Sequence, residues 1–285
     1  MANDIDDAFV TLYDSEIKLA YQRMGPQLRG TVRSSNEVVG SSVVFQKMGK
    51  GAANTKGRNS DVTPMNPTHA TATATIADYY APEYIDKLDL LKVRHDERRA
   101  VQETSVAAIG RQDDSLLITI LEAATTNQST ARALTALGST ATAAVAAGIF
   151  SDHISQLGRR DVPLQDGNLF SAVSMQVWDR MLTLDQFARS EYVGATPLAA
   201  LPWAARRWMG CEWRTHTGLT LSGTTARFIL TWHKNAVGKG VGLEIGTEIS
   251  YVPQKVAFLI NSMTSVGYVT IDTDGIQQLS VDESA

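Results

Sequence analysis

Two strand-like stretches bracket a connection far too long for a hairpin turn. "SSVVFQKM" (41–48) has the composition of a strand. "HATATATIADYYA" (69–81) alternates strictly, with Ala70, Ala72 and Ala74 on one side and Thr71, Thr73 and Thr75 on the other. Residues 49–68 lie between them without periodicity, whereas hairpin loops usually run about two to five residues. The second strand offers little apolar area on either face, and at about 25 cal/mol per Å² alanines contribute little. A lone two-stranded hairpin is marginal in water. The arm therefore needs a surface to rest on, and a neighbouring subunit is the expected support.

The connection itself, "GKGAANTKGR" (49–58), has the glycines and cations of a phosphate loop. The Walker pattern fails on inspection. Thr55 stands where the second glycine belongs, and Gly57 follows Lys56 in place of a hydroxyl residue. The element that follows has period two, so no helix N-terminus is available for a phosphate. A solvated loop tip is the better reading. Its cations, Lys47, Lys50, Lys56 and Arg58, have no acid among them before Asp61.

Residues 4–24 read as an amphipathic helix capped by Asn3 and stopped by Gly25-Pro26. From about Leu88 to Thr125 a second helical pattern runs without proline, with Gly110 as its weak point. Val101, Thr104, Ala108, Ser115 and Leu116 form a stripe of mostly small residues along it. Arg99 and Glu103 are spaced for an i,i+4 pair in the cation-first order. A helix of about 25–35 residues is a strut more than about 35 Å long. "FSDHISQLGRR" predicts a short helix, and "LFSAVSMQVWDRMLTL" a strand leading into a helix. Residues 197–220 look irregular. "ARFILTWH", "TEISYVP", "KVAFLINSMTSVGYVTI" and "GIQQLSV" predict strands, with Asp274-Gly275 as a hairpin turn between the last two.

Candidate chemistry is sparse. The five histidines (69, 95, 153, 216 and 233) show no metal-ligand spacing. Cys211 is the single cysteine, so no intrachain disulfide forms. "TIDTDGIQQLSV" places Asp272 and Asp274 as a calcium loop would, but Val281 occupies the position of the bidentate glutamate. No cofactor is implied. "PWAARRWMGCEWRTH" interleaves Trp203, Trp208 and Trp213 with Arg206, Arg207 and Arg214, which leaves single-stranded nucleic acid as one reading and a packed subdomain as another. The net charge of −4 gives no whole-chain reason to bind nucleic acid or a membrane surface. No run approaches the roughly 18 apolar residues of a spanning helix, and the acidic opening "MANDIDDAFV" is unlike a signal peptide.

The order of elements is more informative than any motif. A helical arm, a long hairpin, a strut helix, a mixed lobe and closing strands resemble the major capsid protein of tailed bacteriophages, the α+β Hong Kong 97-like (Johnson) fold. "DERRAVQETSVAAIGRQDDSLLI" resembles its spine helix, and "AVSMQVWDRMLTLDQFARSEYVG" its passage into the axial lobe. "HKNAVGKGVGLEIGTEISYVPQKVAFLINSMTSVGYVTIDTDGIQQL" is similar to its C-terminal return. The resemblance implies an N-arm at 1–36, an extended E-loop at 37–82, a peripheral domain with the spine helix at 83–149 and 246–285, and most of the axial domain at 150–245. It implies subunit contacts through Phe45, Lys47, Lys50, Lys56 and Arg58 on the arm and Arg99 and Glu103 on the spine helix. It also implies hexamers and pentamers of the chain, a separate scaffolding protein, a portal protein, a decoration protein and packaged DNA as partners. The expected location is the virion, after assembly in the host cytoplasm. An encapsulin-like compartment or a gene transfer agent shell would share the fold.

Overall fold

The computed structural model describes residues 21–88, 97–137, 143–188, 203–223 and 225–284. The helix expected at 4–24 lies mostly outside these residues, and 21–24 carry no regular structure. In chain order the strands begin with β1 (Arg33–Ser35), β2 (Ser42–Met48), β3 (His69–Thr75) and β4 (Ala77–Asp86). Helix α1 (Glu97–Ala123) follows, then β5 (Gln128–Ala133), α2 (Ala143–Arg159), β6 (Leu169–Val173), α3 (Met175–Leu182) and α4 (Asp185–Ala188). The remainder is β7 (Arg206–Trp208), β8 (Cys211–Thr215), β9 (Leu221–Ser222), β10 (Ala226–His233), β11 (Val237–Val252), β12 (Ala257–Thr270) and β13 (Ile276–Asp282).

Three sheets result. One has four strands in the order β1-β11-β12-β4; a second, with seven, runs β5-β13-β10-β6-β8-β7 with β9 beside β10; and β2 and β3 pair by themselves. The chain passes from the larger sheet to the smaller at Lys234–Ala236 and returns at Thr273–Gly275. These crossings are stitched together, because Ala236 O accepts from the amides of Ile271 (2.8 Å) and Asp272 (3.1 Å). Asp274-Gly275 is thus a turn between two sheets and not a hairpin, because β12 and β13 belong to different ladders. Residues 237–245 join the four-stranded sheet, while β13 and β5 join the seven-stranded one.

Helix α1 has 27 residues, about 40 Å at 1.5 Å per residue. Its buried residues are not the predicted small stripe. Ala107, Ile109, Gly110, Asp113, Asp114, Leu117, Ile118 and Leu121 are buried, whereas Val101, Ala108, Ser115 and Leu116 are half-buried and Thr104 is exposed. Gly110 is a contact and not a flaw. A Cβ there would strike the carbonyl of Gly25, so the absence of a side chain lets the segment around Gly25 cross the helix in backbone contact. Beyond Gly110, Leu117, Ile118 and Leu121 pack with Leu28, Leu230, Trp232 and Ile276 between the two larger sheets.

Two adjacent acids clamp this helix from different sides. Asp113 accepts two hydrogen bonds from Lys239 Nζ on β11 (2.9 and 2.6 Å) and one from Tyr268 on β12 (2.8 Å). Lys239 is only 2% exposed, and its burial pulls its pKa below the usual lysine range against the opposing pull of Asp113. Asp114 accepts from the amides of Gln27 (3.0 Å) and Leu28 (3.0 Å) and faces His216 Nε2 at 3.4 Å. Burial alone would raise Asp114. The hydrogen bonds from His216 and from the Leu28 and Gln27 amides outweigh it and hold the carboxyl below its ordinary 3.8.

The hairpin rests on its own chain. Val43, Phe45 and Ala74 are buried against Ile76, Val269 and Ile271. The floor is bare because β11 reads Gly238-Lys239-Gly240: Lys239 turns toward α1, and the glycines present backbone to the hairpin. A Cβ on Gly238 would lie 2.6 Å from the Phe45 ring, and one on Gly240 would lie 2.9 Å from Val43. The support expected from a neighbour is therefore supplied at the root by the same molecule. The single strand read over 69–81 divides at Ile76: β3 pairs with β2, and β4 pairs with β12.

Around the seven-stranded sheet, α2, α3 and α4 close a second core. Phe150, Trp178, Phe187, Trp208 and Trp213 meet there, several edge to face with centroids 5.2–5.7 Å apart. The segment read as irregular over 197–220 thus contains β7 and β8, and α2 is longer than predicted.

Lys239→Met is expected to destabilise the unassembled chain by about 3–5 kcal/mol, because it strands a buried carboxylate. Adding Asp113→Leu should return most of the loss in a urea-denaturation cycle. Asp114 contributes stability fully above its ordinary 3.8, and that contribution falls away as the pH drops through the depressed folded value. Asp114→Ala should therefore be less stable at neutral pH and should flatten the acid limb of a pH-stability curve. Gly238→Val should cost about 1–3 kcal/mol through overpacking and raise protease cleavage at residues 41–76 before the core opens.

Candidate assembly surface

The hairpin root orients a loop that its own chain does not cover. Residues 51–66 are all exposed, with Val62 at 73% and Met65 at 54%. The candidate contact residues divide into three groups. Phe45 is buried at the root, with Arg33 stacked over its ring at 5.8 Å. Lys47 pairs with Asp272 at 2.7 Å, beside the return crossing. Lys50 pairs with Asp161 at 2.5 Å and points to Arg160 O at 3.5 Å, just past α2. The hydrogen bond and charge of Asp161 raise the Lys50 pKa, and Lys50 lowers that of Asp161 in return. These three side chains, expected at a neighbour, are engaged within their own chain.

Lys56 and Arg58 form the second group. They sit exposed in the loop, and no ion pair among the described residues involves either. Arg99 and Glu103 form the third, joined at 3.0 Å on the exposed side of α1 as the spacing predicts. The small stripe gains a place nearby. Val101, Thr104 and Ala108 face Ala81 and Pro82 of β4 across a groove of about 410 Å³.

The other chemical candidates are absorbed by packing. Trp208 and Trp213 are buried in the core, so they offer no platform for nucleic-acid bases. Arg206 lies over the Phe187 ring at 5.8 Å, Arg207 donates to Gly167 O, and Arg214 pairs with Glu212 at 2.5 Å. Trp203 alone of the three is exposed, at 48%, so the interleaved aromatic platform of the nucleic-acid reading does not form and the packed-subdomain reading holds for Trp208 and Trp213. Buried His153 bonds Thr231 at 2.9 Å, and burial pushes its pKa down to about 3, which keeps it neutral. His233 faces Asp166 at 2.8 Å. His95 lies outside the described residues. Burial pushes the Cys211 thiol well up and so keeps it protonated. Among the described residues no group of three or more His, Cys, Asp or Glu is placed to hold a metal ion, and no helix is long and apolar enough to cross a membrane.

Sequence reasoning missed the Asp113–Lys239 and Asp114–His216 contacts. Their signal was an acidic doublet in a helix whose next turn, Leu117 and Ile118, is apolar, together with a lysine framed by glycines.

The fold is that of known shell subunits. The chain superimposes on the capsid subunit of cyanophage P-SCSP1u with a TM-score of 0.76 at 13% identity, covering 100% of this chain and 96% of that one. For Mycobacterium phage Che8 the TM-score is 0.73 at 11% identity, with 97% and 98% covered. For the capsid of a native GTA particle it is 0.70 at 13% identity, with 96% of each chain covered. None of the curated proteins compared matches the chain. The phage capsid protein family model matches residues 5–283. With nearly the whole chain matched, and with a fold shared end to end with shell subunits, this protein belongs to the phage capsid protein family.

Proposed function

We infer that the chain is the major capsid protein of a tailed bacteriophage, whose copies assemble through hexamers and pentamers into the icosahedral shell around double-stranded DNA. The observation that carries this reading is the family match over residues 5–283. The arm supplies a physical reason for assembly: a long exposed loop stands on a root already fixed to its own sheet. A subunit so built extends a preoriented limb without having to order it at the moment of contact. In a closed ring each copy gives one arm and receives one, so individually weak contacts act together.

The assignment of parts follows from this reading. Residues 37–82 act as the E-loop, 1–36 as the N-arm, β11 and β12 with α1 as the peripheral domain and the seven-stranded sheet as the axial domain. Lys56 and Arg58 meet acidic side chains or backbone carbonyls of the adjacent subunit. Phe45, Lys47 and Lys50 serve the interface from beneath, by setting the direction of the loop. Arg99 and Glu103 lie on the helix face that a neighbour covers. A scaffolding protein, a portal protein and a decoration protein are the further partners, and no catalytic step is assigned to the chain. A gene transfer agent shell is the second reading, favoured by the likeness to the GTA particle; sequencing the enclosed DNA separates the two.

Negative-stain microscopy of the purified chain should show capsomers or shells, and a uniform monomer would sink the assignment. The double variant Lys56→Glu/Arg58→Glu should keep the circular dichroism of the parent and yield fewer or less salt-resistant shells. Shells formed in unchanged number and resistance would remove the loop cations from the interface.

A further inference from the structure

We propose that the cleft beside the end strand of the seven-stranded sheet is a docking site for an extended, acidic segment of a partner polypeptide. The cleft measures about 500 Å³ and lies among β5, α2 and β13. That volume is in the range of sites that hold small ligands or short peptide segments. Strand β5 is hydrogen-bonded on one side only, parallel to β13, and among the described residues no strand pairs with its other side. All of its residues except half-buried Ser129 are exposed. Its outer N–H and C=O groups are therefore open to a partner backbone.

The ladder to β13 slips between Leu279 and Val281, so Thr130 and Ala131 together oppose Ser280. This bulge shortens the flat part of the edge, and a partner can pair over only a few residues. Side chains must supply the remaining recognition, and those in the cleft are suited to it. Gln128 and Gln156 line it with carboxamides, each both donor and acceptor, as a peptide backbone requires. The wall is already fixed: Gln277, 2% exposed, donates to Ser129 Oγ (2.8 Å) and accepts from Arg160 (2.6 Å). Such a surface loses little freedom on binding.

Charge selects the occupant. Arg132 and Arg160 line the cleft together with one acid, Asp152, which faces Arg159 at 3.6 Å. The excess is cationic and suits a carboxylate side chain. No aromatic side chain lines the cleft, so nucleic-acid bases would find no stacking platform.

The test uses the full chain and three fluorescein-labelled peptides. One alternates valine with glutamate, one carries glutamine in place of glutamate, and one carries proline at its centre. Fluorescence anisotropy should show the acidic peptide binding about tenfold tighter than its glutamine counterpart. The proline version should bind weakly, and hydrogen exchange should slow at 128–133 when the acidic peptide is present. Arg132→Glu, a change at an exposed position, should abolish the preference for acid. Equal binding of all three peptides would overturn the proposal, as would an acid preference that survives Arg132→Glu. Protection of 128–133 in assembled shells without peptide would also overturn it, by giving the edge to a second copy of the chain.

Discussion

The pair of buried carboxylates at the middle of α1 is the interaction on which the rest of the molecule depends. Successive helical residues point about 100° apart, so neighbouring acids reach different partners. Asp113 takes the four-stranded sheet through Lys239 and Tyr268, and Asp114 takes the N-terminal segment and His216. Each would be costly alone in an apolar setting, and each is satisfied by several donors. Apolar contacts would hold the helix against the sheets without fixing its rotation or its position along its axis. Charged groups with directional partners fix both.

The same helix position governs the arm. Lys239 turns toward Asp113, and alternation along β11 then sends the flanking Gly238 and Gly240 to the opposite face, where Val43 and Phe45 settle. One tripeptide thus carries an ionic anchor on one side and a bare floor on the other. The ion pairs of Lys47 and Lys50 add direction at the surface, where solvent and salt screen them, so the apolar root carries the hold and the ion pairs trim the angle.

Much of the fold was legible because it is local. Composition marked β2, strict alternation marked β3, an uninterrupted helical period marked α1, and Ser174, which caps α3 through the Val177 amide, lay between a readable strand and a readable helix. The long-range order of these elements carried the family resemblance. What stayed hidden depends on residues far apart in the chain. Asp113 and Asp114 read as ordinary helix-surface charges until β11 and His216 arrive. Trp208 and Trp213 sit in short strands joined at Met209 and Gly210, both with left-handed backbone, which breaks any period. The alanine strand alone makes the arm look too poor in apolar area. Its partner strand supplies Phe45, and its floor comes from glycines, which register in no hydrophobicity count.

The paired crossings at 234–236 and 271–275 have a mechanical consequence. Tension drawing the two larger sheets apart runs along two covalent strands lying side by side, β10 into β11 and β12 into β13. Those strands sit inside their sheets, flanked on both sides, so the load falls on many backbone hydrogen bonds in shear and does not peel them singly from an edge. A subunit laced in this way resists stretching in its own plane, the direction in which a pressurised container strains its wall.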